Sequence, residues 1–258
     1  MTHDLSPRGD NMSDIQGKFV WHEFVSQDVE GAKAFYGEVF GWDIVTQDVG
    51  EHPYNFIMVD GKMQGGIVPK RDAAGPNMWL PYIAVDDVDA TLAAAIEAGG
   101  EQISPPMDMP NVGRMSVVHD RDGIAICLFD AASESDRPER KIEGAFHWNE
   151  LWASDASAAV DFYEQVFGYE RSSQDMNGNP YHMLSASEVG LAGAMSAPEG
   201  APKKWLPYVT SEDCDAAVAR AERHGGKQVV PAMEVEGIGR FTVVADPFGV
   251  GVGIITPS

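Results

Sequence analysis

Two kinds of apolar periodicity alternate along the chain, and together they predict short strands and amphipathic helices. In residues 18–25 the side chains alternate between two faces, with Val20 and Phe24 on one face and Trp21 and Glu23 on the other. This spacing of two predicts a strand whose faces meet different surroundings.

A helix is predicted directly after this strand. Asp28 is suited to the N-cap, apolar residues then recur every three or four positions as far as Phe40, and Gly41 is suited to end the helix. Three alternating segments, separated by glycine, proline and aspartate turns, predict strands over 42–47, 54–59 and 64–69. The whole stretch is therefore a βαβββ unit.

The same unit recurs along the chain. A second unit begins at Trp79 and has a predicted helix over 88–98. The stretch from Trp21 returns at Trp148, 127 positions later, and the stretch from Trp79 returns at Trp205, 126 positions later. We predict four βαβββ units and an α+β fold class, in which a second pair of units copies the first pair.

The boundaries of the repeats follow from composition. Residues 1–14 are polar and aperiodic, which predicts a disordered N-terminal arm. Residues 131–141 are charged and contain Pro138, which is typical of a linker. We predict one domain over 15–130, here called the first repeat, and a second domain over 142–258, called the second repeat.

The composition excludes several classes of partner. Forty acidic against 18 basic residues give a net charge of −22, which opposes binding to nucleic acid or to an anionic membrane. No signal peptide pattern is evident, no apolar run approaches the roughly 20 residues of a membrane span, and the cysteines are two, Cys127 and Cys214. We expect a cytoplasmic monomer or homodimer whose partner is a small molecule.

Several short motifs combine into a family resemblance. The run x-D-x-x-x-A-x-x-F-Y-x-x-x-F-G-W around Asp28, the D-D-V-D-A helix start, the Gly-Gly after that helix and the closing D-x-x-G at Asp120 resemble the vicinal oxygen chelate superfamily. That superfamily includes glyoxalase I, bleomycin-resistance proteins and extradiol dioxygenases. The tandem form, with W-L-P-Y and G-R-x-x-V-V-x-D in each repeat, resembles a bacterial subgroup of glyoxalase-like proteins. The resemblance implies that each pair of βαβββ units forms a curled mixed sheet, a cup around a small ligand with helices outside.

The resemblance also indicates where metal-dependent members hold a divalent ion. Their ligands lie seven residues before the helix-start aspartate and seven residues after the D-x-x-G aspartate. In this sequence those positions hold Trp21, Leu80 and Cys127 in the first repeat, and Trp148, Leu206 and Gly253 in the second. None supplies an imidazole or oxygen ligand, and Cys127 alone is better explained as a small buried side chain. We therefore predict no metal cofactor at these positions.

Glu23 and Glu150 are the candidate catalytic residues. Strand alternation places each on the same face as the tryptophan two positions before it, so both repeats keep W-x-E toward the expected cup. An apolar wall raises the pKa of a carboxyl group, which suits it to act as a general acid or base. The alternative is a glutamate at a strand edge that points to solvent or pairs with an arginine.

Six further residues are candidates for ligand binding: Trp21, Trp148, Tyr82, Tyr208, Arg114 and Arg240. The tryptophans would stack on a ligand, the tyrosines would donate hydrogen bonds to a ligand oxygen, and the arginines would clamp a carboxylate. Packing explains the tyrosines at least as well. For the arginines, an ion pair with Asp120 or Glu23 is the favoured alternative.

Two functions agree with these residues. The chain either binds a small, partly aromatic or carbonyl-bearing molecule in a metal-free cup, or it is a glyoxalase-like lyase or isomerase. In the second case Glu23 or Glu150 is the general base, with a metal only at unconventional positions. A third hypothesis is that one repeat serves packing alone. His119 and Cys127 have no counterparts in the second repeat, which favours the first repeat as the working one.

Overall fold

The computed structural model describes most of the chain. The described residues are 15–49, 52–72, 74–133, 136–176 and 178–258. The predicted disordered arm, residues 1–14, lies outside them.

The first repeat contains two consecutive βαβββ units. Its elements are β1 (Phe19–Ser26), α1 (Val29–Phe40), β2 (Asp43–Val49), β3 (His52–Val59), β4 (Lys62–Pro69), β5 (Met78–Ala84), α2 (Val88–Glu97), β6 (Glu101–Gln102), β7 (Met107–Met109), β8 (Gly113–His119) and β9 (Ala125–Ala131).

The second repeat has the same order of elements, with one long strand in place of β6 and β7. Its elements are β10 (Phe146–Ala153), α3 (Ala156–Phe167), β11 (Glu170–Met176), β12 (Asn179–Ala186), β13 (Val189–Ser196), β14 (Lys204–Thr210), α4 (Cys214–Arg223), β15 (Lys227–Val235), β16 (Gly239–Ala245) and β17 (Gly251–Pro257).

The first helix of each repeat begins and ends as the sequence predicts. The Asp28 carboxylate accepts a hydrogen bond from the Gly31 backbone N–H at 2.9 Å, which satisfies one of the free donors at the helix start. Gly41 ends the helix at φ 68°, a left-handed conformation that glycine adopts without steric cost. Asp155 and Gly168 repeat this arrangement around α3. Among the described helices none is long and apolar enough to cross a membrane.

Each repeat forms its own curled mixed sheet. The strand order is β2-β3-β4-β1-β5-β9-β8-β6 in the first repeat, where β7 also pairs with β8, and β11-β12-β13-β10-β14-β17-β16-β15 in the second. In the first sheet β1 lies antiparallel to β5 at the centre, β4 is parallel to β1, and β9 is parallel to β5. Two βαβββ units therefore share one sheet through their first strands, and the predicted α+β fold is confirmed.

Two strands differ from the sequence prediction. The side-chain pattern does not predict the short strand Met107–Met109. Around β15 the pattern predicts a strand only over 228–230, whereas the strand extends over Lys227–Val235. Both follow the edge of a sheet, where β15 keeps pairing with β16 across two register shifts. Such irregular edges interrupt the alternation of side chains, so the pattern ends before the strand does.

The helices cover the faces of the two sheets that turn away from the cups. There α1 contacts α4 of the other repeat, and α2 contacts α3. One shared core joins Phe24 and Tyr36 of the first repeat to Val244 of the second, and a second core joins Leu128 to Phe162 in the same way. The repeats are thus joined by shared cores to which the helices contribute, and by a hydrogen bond between His22 on β1 and Asn149 on β10. Each cup is built from its own repeat.

Candidate functional site

The two central strands of the first sheet bring the predicted residues together on the concave face. Glu23 on β1 lies opposite Leu80 on β5 and Gly66 on β4. Trp21 lies opposite Tyr82, and Tyr82 lies opposite Cys127 on β9. The predicted strand alternation therefore places Trp21 and Glu23 as expected. It is wrong at Val20, which was predicted on the face of Phe24 but packs with Leu80 and Tyr82, because the register shifts between Phe19 and Trp21.

A tyrosine that sequence reasoning missed completes this group. The Tyr54 hydroxyl donates a hydrogen bond to Glu23 Oε2 at 2.8 Å, and the Trp21 indole N–H donates to the Tyr54 oxygen at 2.9 Å. The Tyr82 hydroxyl interacts with the same carboxyl group. We call Trp21, Glu23, Tyr54 and Tyr82 the Glu23 cluster.

Burial controls the electrostatics of the Glu23 cluster. Desolvation raises the pKa of Glu23 above its ordinary value, and the hydrogen bonds from Tyr54 and Tyr82, with the charge of Arg71, offset part of that rise. The pKa of each tyrosine is raised well above its ordinary value, first by burial and then by the nearby Glu23 charge. Both tyrosines therefore remain protonated hydrogen-bond donors to Glu23 over the physiological pH range.

Glycine on β4 leaves room for the missed tyrosine. A Cβ added at Gly66 would overlap the Tyr54 hydroxyl, and a Cβ added at Gly193 in the second repeat would overlap the Tyr181 hydroxyl. The two tyrosines, like the two glycines, are 127 positions apart. This recurrence in both repeats is the signal by which the sequence could have revealed them.

The second repeat holds Glu150 in an equivalent but more crowded group. Glu150 Oε2 accepts from Tyr181 at 3.1 Å, and its Oε1 accepts from Tyr208 at 3.2 Å and from the Trp152 indole N–H at 2.7 Å. The Trp148 N–H donates to the Tyr181 oxygen at 3.2 Å, as Trp21 does to Tyr54. These residues form the Glu150 cluster: Trp148, Glu150, Trp152, Tyr181 and Tyr208.

A lysine lies over the Glu150 cluster. Lys204 Nζ is 4.8 Å from the centre of the Trp152 ring, a cation–π distance. Burial lowers the pKa of Lys204 to about 8, against the opposing charges of Asp246 and Glu150. Desolvation raises the pKa of Glu150, while its three hydrogen-bond donors and Lys204 act in the opposite direction. The Glu150 carboxylate thus has three hydrogen-bond donors and a nearby cation from its own chain.

The two concave faces differ in how far they are open. Glu150 is 8% exposed and Trp152 is 5% exposed, so the second face is covered. Glu23 and Val25 are both only partly buried. Further strand positions show the same contrast, with partly buried residues in the first repeat and buried ones in the second: Val117 against Val243, and Phe129 against Ile255. The concave face of the first repeat is therefore the less covered of the two.

In this chain, the residues at the metal-ligand positions of the vicinal oxygen chelate superfamily are not suited to bind a metal ion. Trp21, Leu80 and Cys127 do line the concave face, but none offers an imidazole or carboxylate. Burial and the nearby Glu23 charge raise the pKa of the Cys127 thiol well above its ordinary value, so the thiol is protonated at neutral pH. Throughout the part of the chain that the structure describes, no three His, Cys, Asp or Glu side chains are grouped as a metal site.

The two arginines lie on the opposite face from the glutamates, which corrects the expectation that they line the cup. Arg114 donates to Asp89 of α2 at 2.8 and 3.0 Å and to Asp108 of β7 at 2.9 Å. Arg240 donates to Asp215 of α4 at 2.9 and 2.8 Å. Ion pairs were the favoured alternative, but their partners are these helix and edge-strand aspartates.

Strand alternation explains the orientation of the arginines. Arg114 shares its face of β8 with Val118, which belongs to the core beneath the helices, whereas Met115 and Val117 face the cup. The shallow groove that Arg240 lines is acidic and is also on the helix side of its sheet. We therefore do not retain the arginines as ligand-binding residues.

Comparison with known proteins identifies the family. The sequence matches the Glyoxalase/Bleomycin resistance protein/Dioxygenase superfamily over residues 18–128 and again over 145–254. The chain belongs to this superfamily, and the predicted vicinal oxygen chelate resemblance is confirmed in both repeats.

Two relatives match over nearly the whole chain. "Putative glyoxylase CFP32" of Mycobacterium tuberculosis is 32% identical over 250 residues, which cover 94% of this chain and 96% of that protein. "Anthracycline biosynthesis protein DnrV" of Streptomyces peucetius is 30% identical over 263 residues, which cover 93% of each chain.

Solved structures show the same fold. The Mn(II)-bound glyoxalase from Novosphingobium aromaticivorans superposes with a TM-score of 0.67 at 18% identity and covers 93% of this chain and 82% of its own. The 2,2',3-trihydroxybiphenyl 1,2-dioxygenase from Sphingomonas wittichii gives 0.65 at 14% identity, with 93% and 90% coverage. At these identities the likeness extends to the fold alone.

Proposed function

We propose that the chain binds a small organic molecule on the concave face of the first repeat, beside Glu23, with no metal ion at the family's usual positions. The observation that carries this proposal is the contrast between the two glutamates. Glu23 sits on a partly open face, whereas Glu150 is 8% exposed and covered by Trp152. The names of the relatives, a glyoxylase and an anthracycline biosynthesis protein, also concern small organic molecules.

The hydrogen bonds at Glu23 leave room for a donor from a ligand. An ionised carboxylate has about four lone-pair positions for hydrogen bonds. Glu23 receives hydrogen bonds from two side chains, Tyr54 and Tyr82, whereas Glu150 receives three hydrogen bonds within 3.2 Å. A hydroxyl or N–H of a bound molecule would satisfy the remaining capacity of Glu23. Trp21, partly buried on the same face, supplies an apolar wall for that molecule.

A second function is supported by the acid–base character of Glu23. Because burial raises its pKa, the carboxyl group exchanges a proton more readily near neutral pH than an exposed glutamate does. A carboxylate at the wall of a cup can remove a proton from a carbon next to a carbonyl group. The chain would then be a glyoxalase-like lyase or isomerase with Glu23 as general base, and Tyr54 and Tyr82 would hold its side chain in place.

Calorimetric titration with catechol, 2-naphthol and indole, in the presence of a chelator, tests the binding proposal. We expect one site per chain for at least one probe, with roughly tenfold or greater weakening in Glu23→Gln, since that change replaces a charged acceptor. Glu150→Gln is the matched control in the covered cup and should retain the affinity. Equal weakening in both variants, or no saturable binding of any probe, contradicts the proposal.

Proton exchange tests the second function separately. The α-hydrogens of 2-hydroxyacetophenone are followed by NMR in deuterated buffer with chelator. If Glu23 is a general base, the protein accelerates exchange, Glu23→Gln loses the acceleration, and Glu150→Gln keeps it. If the protein binds a probe at Glu23 but the exchange rate equals that of buffer alone, the general-base function is contradicted and binding stands as the function.

A further inference from the structure

The indole of Trp152 occupies the second cup in the manner of a bound molecule. Its ring lies on the concave face among Leu206, Tyr208 and Ile255, and its N–H donates to Glu150 Oε1 at 2.7 Å. The side chain is 5% exposed. A planar ring with one hydrogen-bond donor thus fills the space in front of the glutamate.

The first cup keeps the same frame without that ring. Trp152 pairs with Lys204 across β10 and β14, and the register of β1 and β5 pairs Val25 with Met78 at the equivalent place. Leu80 and Tyr82 correspond to Leu206 and Tyr208 and are likewise buried. Val25 and Met78, in contrast, are only partly buried. Two of the residues that frame the indole are thus retained. The third, Ile255, corresponds to Phe129, and the indole itself is replaced by the smaller side chain of Val25.

The groups that these two strand positions supply to the glutamates differ in the same way, while the charge of Arg71 also acts on Glu23. In the second cup the Trp152 N–H and the Lys204 ammonium group both act on the Glu150 carboxylate. In the first cup Val25 and Met78 contribute neither a donor nor a charge. A donor that stands where the Trp152 N–H stands would therefore complete the Glu23 cluster as Trp152 completes the Glu150 cluster.

We infer that Trp152 is an internal stand-in for the ligand of the first cup, and that this ligand presents a planar aromatic ring of about indole size with an N–H or O–H directed at Glu23. The ring lies against Val25 and Met78, which are neighbours on the concave face, and the flexible thioether of Met78 suits contact with aromatic rings. This inference rests on the proposed function and adds the class of ligand. It also assigns to the second repeat a latent site of the same kind, closed by its own tryptophan.

Indole and benzofuran are the probes, because they have nearly the same shape and only indole has an N–H donor. We expect calorimetry on the whole chain to give one indole site, and benzofuran to bind about tenfold or more weakly, since its ring oxygen places no donor against the carboxylate. Equal affinities for the two probes would contradict the inference, even if both bind at Glu23.

Two substitutions test the role of the tryptophan ring, one by adding it to the first cup and one by removing it from the second. Val25→Trp gives the first cup the internal ring of the second, and we expect it to abolish the indole site. Trp152→Val removes that ring from the second cup, and we expect two indole sites per chain. Val229→Trp, at a β15 position that is 49% exposed, is the matched control for adding a tryptophan and should leave one site.

If a variant is too unstable for calorimetry, its melting temperature with each probe gives the same test. If Trp152→Val melts early, indole should raise its melting temperature more than benzofuran does, because indole restores both the ring and the hydrogen bond. Retained indole binding in a folded Val25→Trp, or a single site and no indole-specific rescue in Trp152→Val, overturns the inference. If Glu23→Gln leaves indole affinity unchanged, the proposed function itself fails, which is a separate result.

Discussion

Tyr36 in α1 donates a hydrogen bond to Asp246, a residue of the other repeat, with 2.8 Å between the hydroxyl oxygen and Oδ2. The equivalent pair in the repeats, Tyr163 and Asp120, has the same 2.8 Å distance. Each aspartate also accepts backbone N–H groups of the turn after it, as Asp246 does from Phe248 and Val250. The F-Y and D-x-x-G motifs therefore meet across the interface between the repeats, where they stabilise the docking of the helices.

Tyr36→Phe should lower the free energy of unfolding by about 1–3 kcal/mol, because it leaves a buried carboxylate with one donor fewer. Denaturant unfolding of Tyr36→Phe, Asp246→Asn and the double variant measures the coupling between the two groups. We expect the losses to be clearly less than additive. Fully additive losses would show that the hydrogen bond between the repeats contributes little.

Glu150→Gln should change how stability depends on pH. Burial raises the folded-state pKa of Glu150 above its ordinary value of 4.5, so the folded state holds this proton more tightly than the unfolded chain does. Its contribution to stability is then fully present below pH 4.5 and is lost as the pH rises through the folded pKa. Since glutamine does not titrate, Glu150→Gln should gain stability relative to the natural chain as the pH rises over this window.

Unfolding curves of both proteins at pH 4.5, 6 and 7.5 measure that difference. Comparing the two proteins cancels the contributions of other buried carboxyl groups, such as Asp120 and Asp246, whose pKa values burial also raises. A stability difference that stays constant across the three pH values, or that changes in the opposite direction, would mean that Glu150 is not held in a desolvating environment.

Gly66→Ala should weaken probe binding in the first cup, because the new methyl group would occupy the place of the Tyr54 hydroxyl and move it away from Glu23. Gly37→Ala in α1 is the matched control: its Cβ meets only the Trp42 carbonyl oxygen at 3.5 Å. Alanine is favoured over glycine in a helix by about 1 kcal/mol, so the control should fold at least as well and bind normally. Calorimetric titration with indole compares the two, and equal affinities would show that Tyr54 does not support the site.

Arg114→Ala and Arg240→Ala should leave probe affinity unchanged, since both arginines pair with aspartates on the helix side of their sheets. We expect little loss of stability for either variant, because the pairs are exposed to solvent. Affinity for a carboxylate-bearing probe such as indole-3-acetate checks the earlier expectation directly. A marked loss of that affinity in either variant would return the arginine to the binding site.

The fold was accessible from the sequence because local pattern and duplication agree. Asp28 and Gly41 mark both ends of a helix by their own conformational preferences, and the same marks return in the second repeat at Asp155 and Gly168. The alternation around Glu23 has a period of two, which fixes the face of each side chain without reference to other strands. Irregular edge strands, such as Met107–Met109, lack this internal consistency and were missed.

The site was only partly accessible for the same reason. Glu23 and Trp21 lie on one strand, but Tyr54 reaches them from β3, and nothing in local spacing shows which distant strand will lie beside β1. The arginines were expected to clamp a carboxylate ligand, although the alternation along β8 and β16 already places them on the helix side of their sheets. The exchange of Val25 for Trp152 is visible in the sequence, but its meaning depends on the hydrogen bond to Glu150.

A crystal of the natural chain soaked with 5-bromoindole tests the central claim most directly, because the anomalous scattering of bromine locates the ring without ambiguity. The account predicts one bromine peak on the concave face of the first repeat, with the indole N–H within hydrogen-bond distance of Glu23 and the ring over Val25. A peak in front of Glu150 instead, or a ring bound elsewhere on the chain while the cup beside Glu23 stays empty, would contradict it.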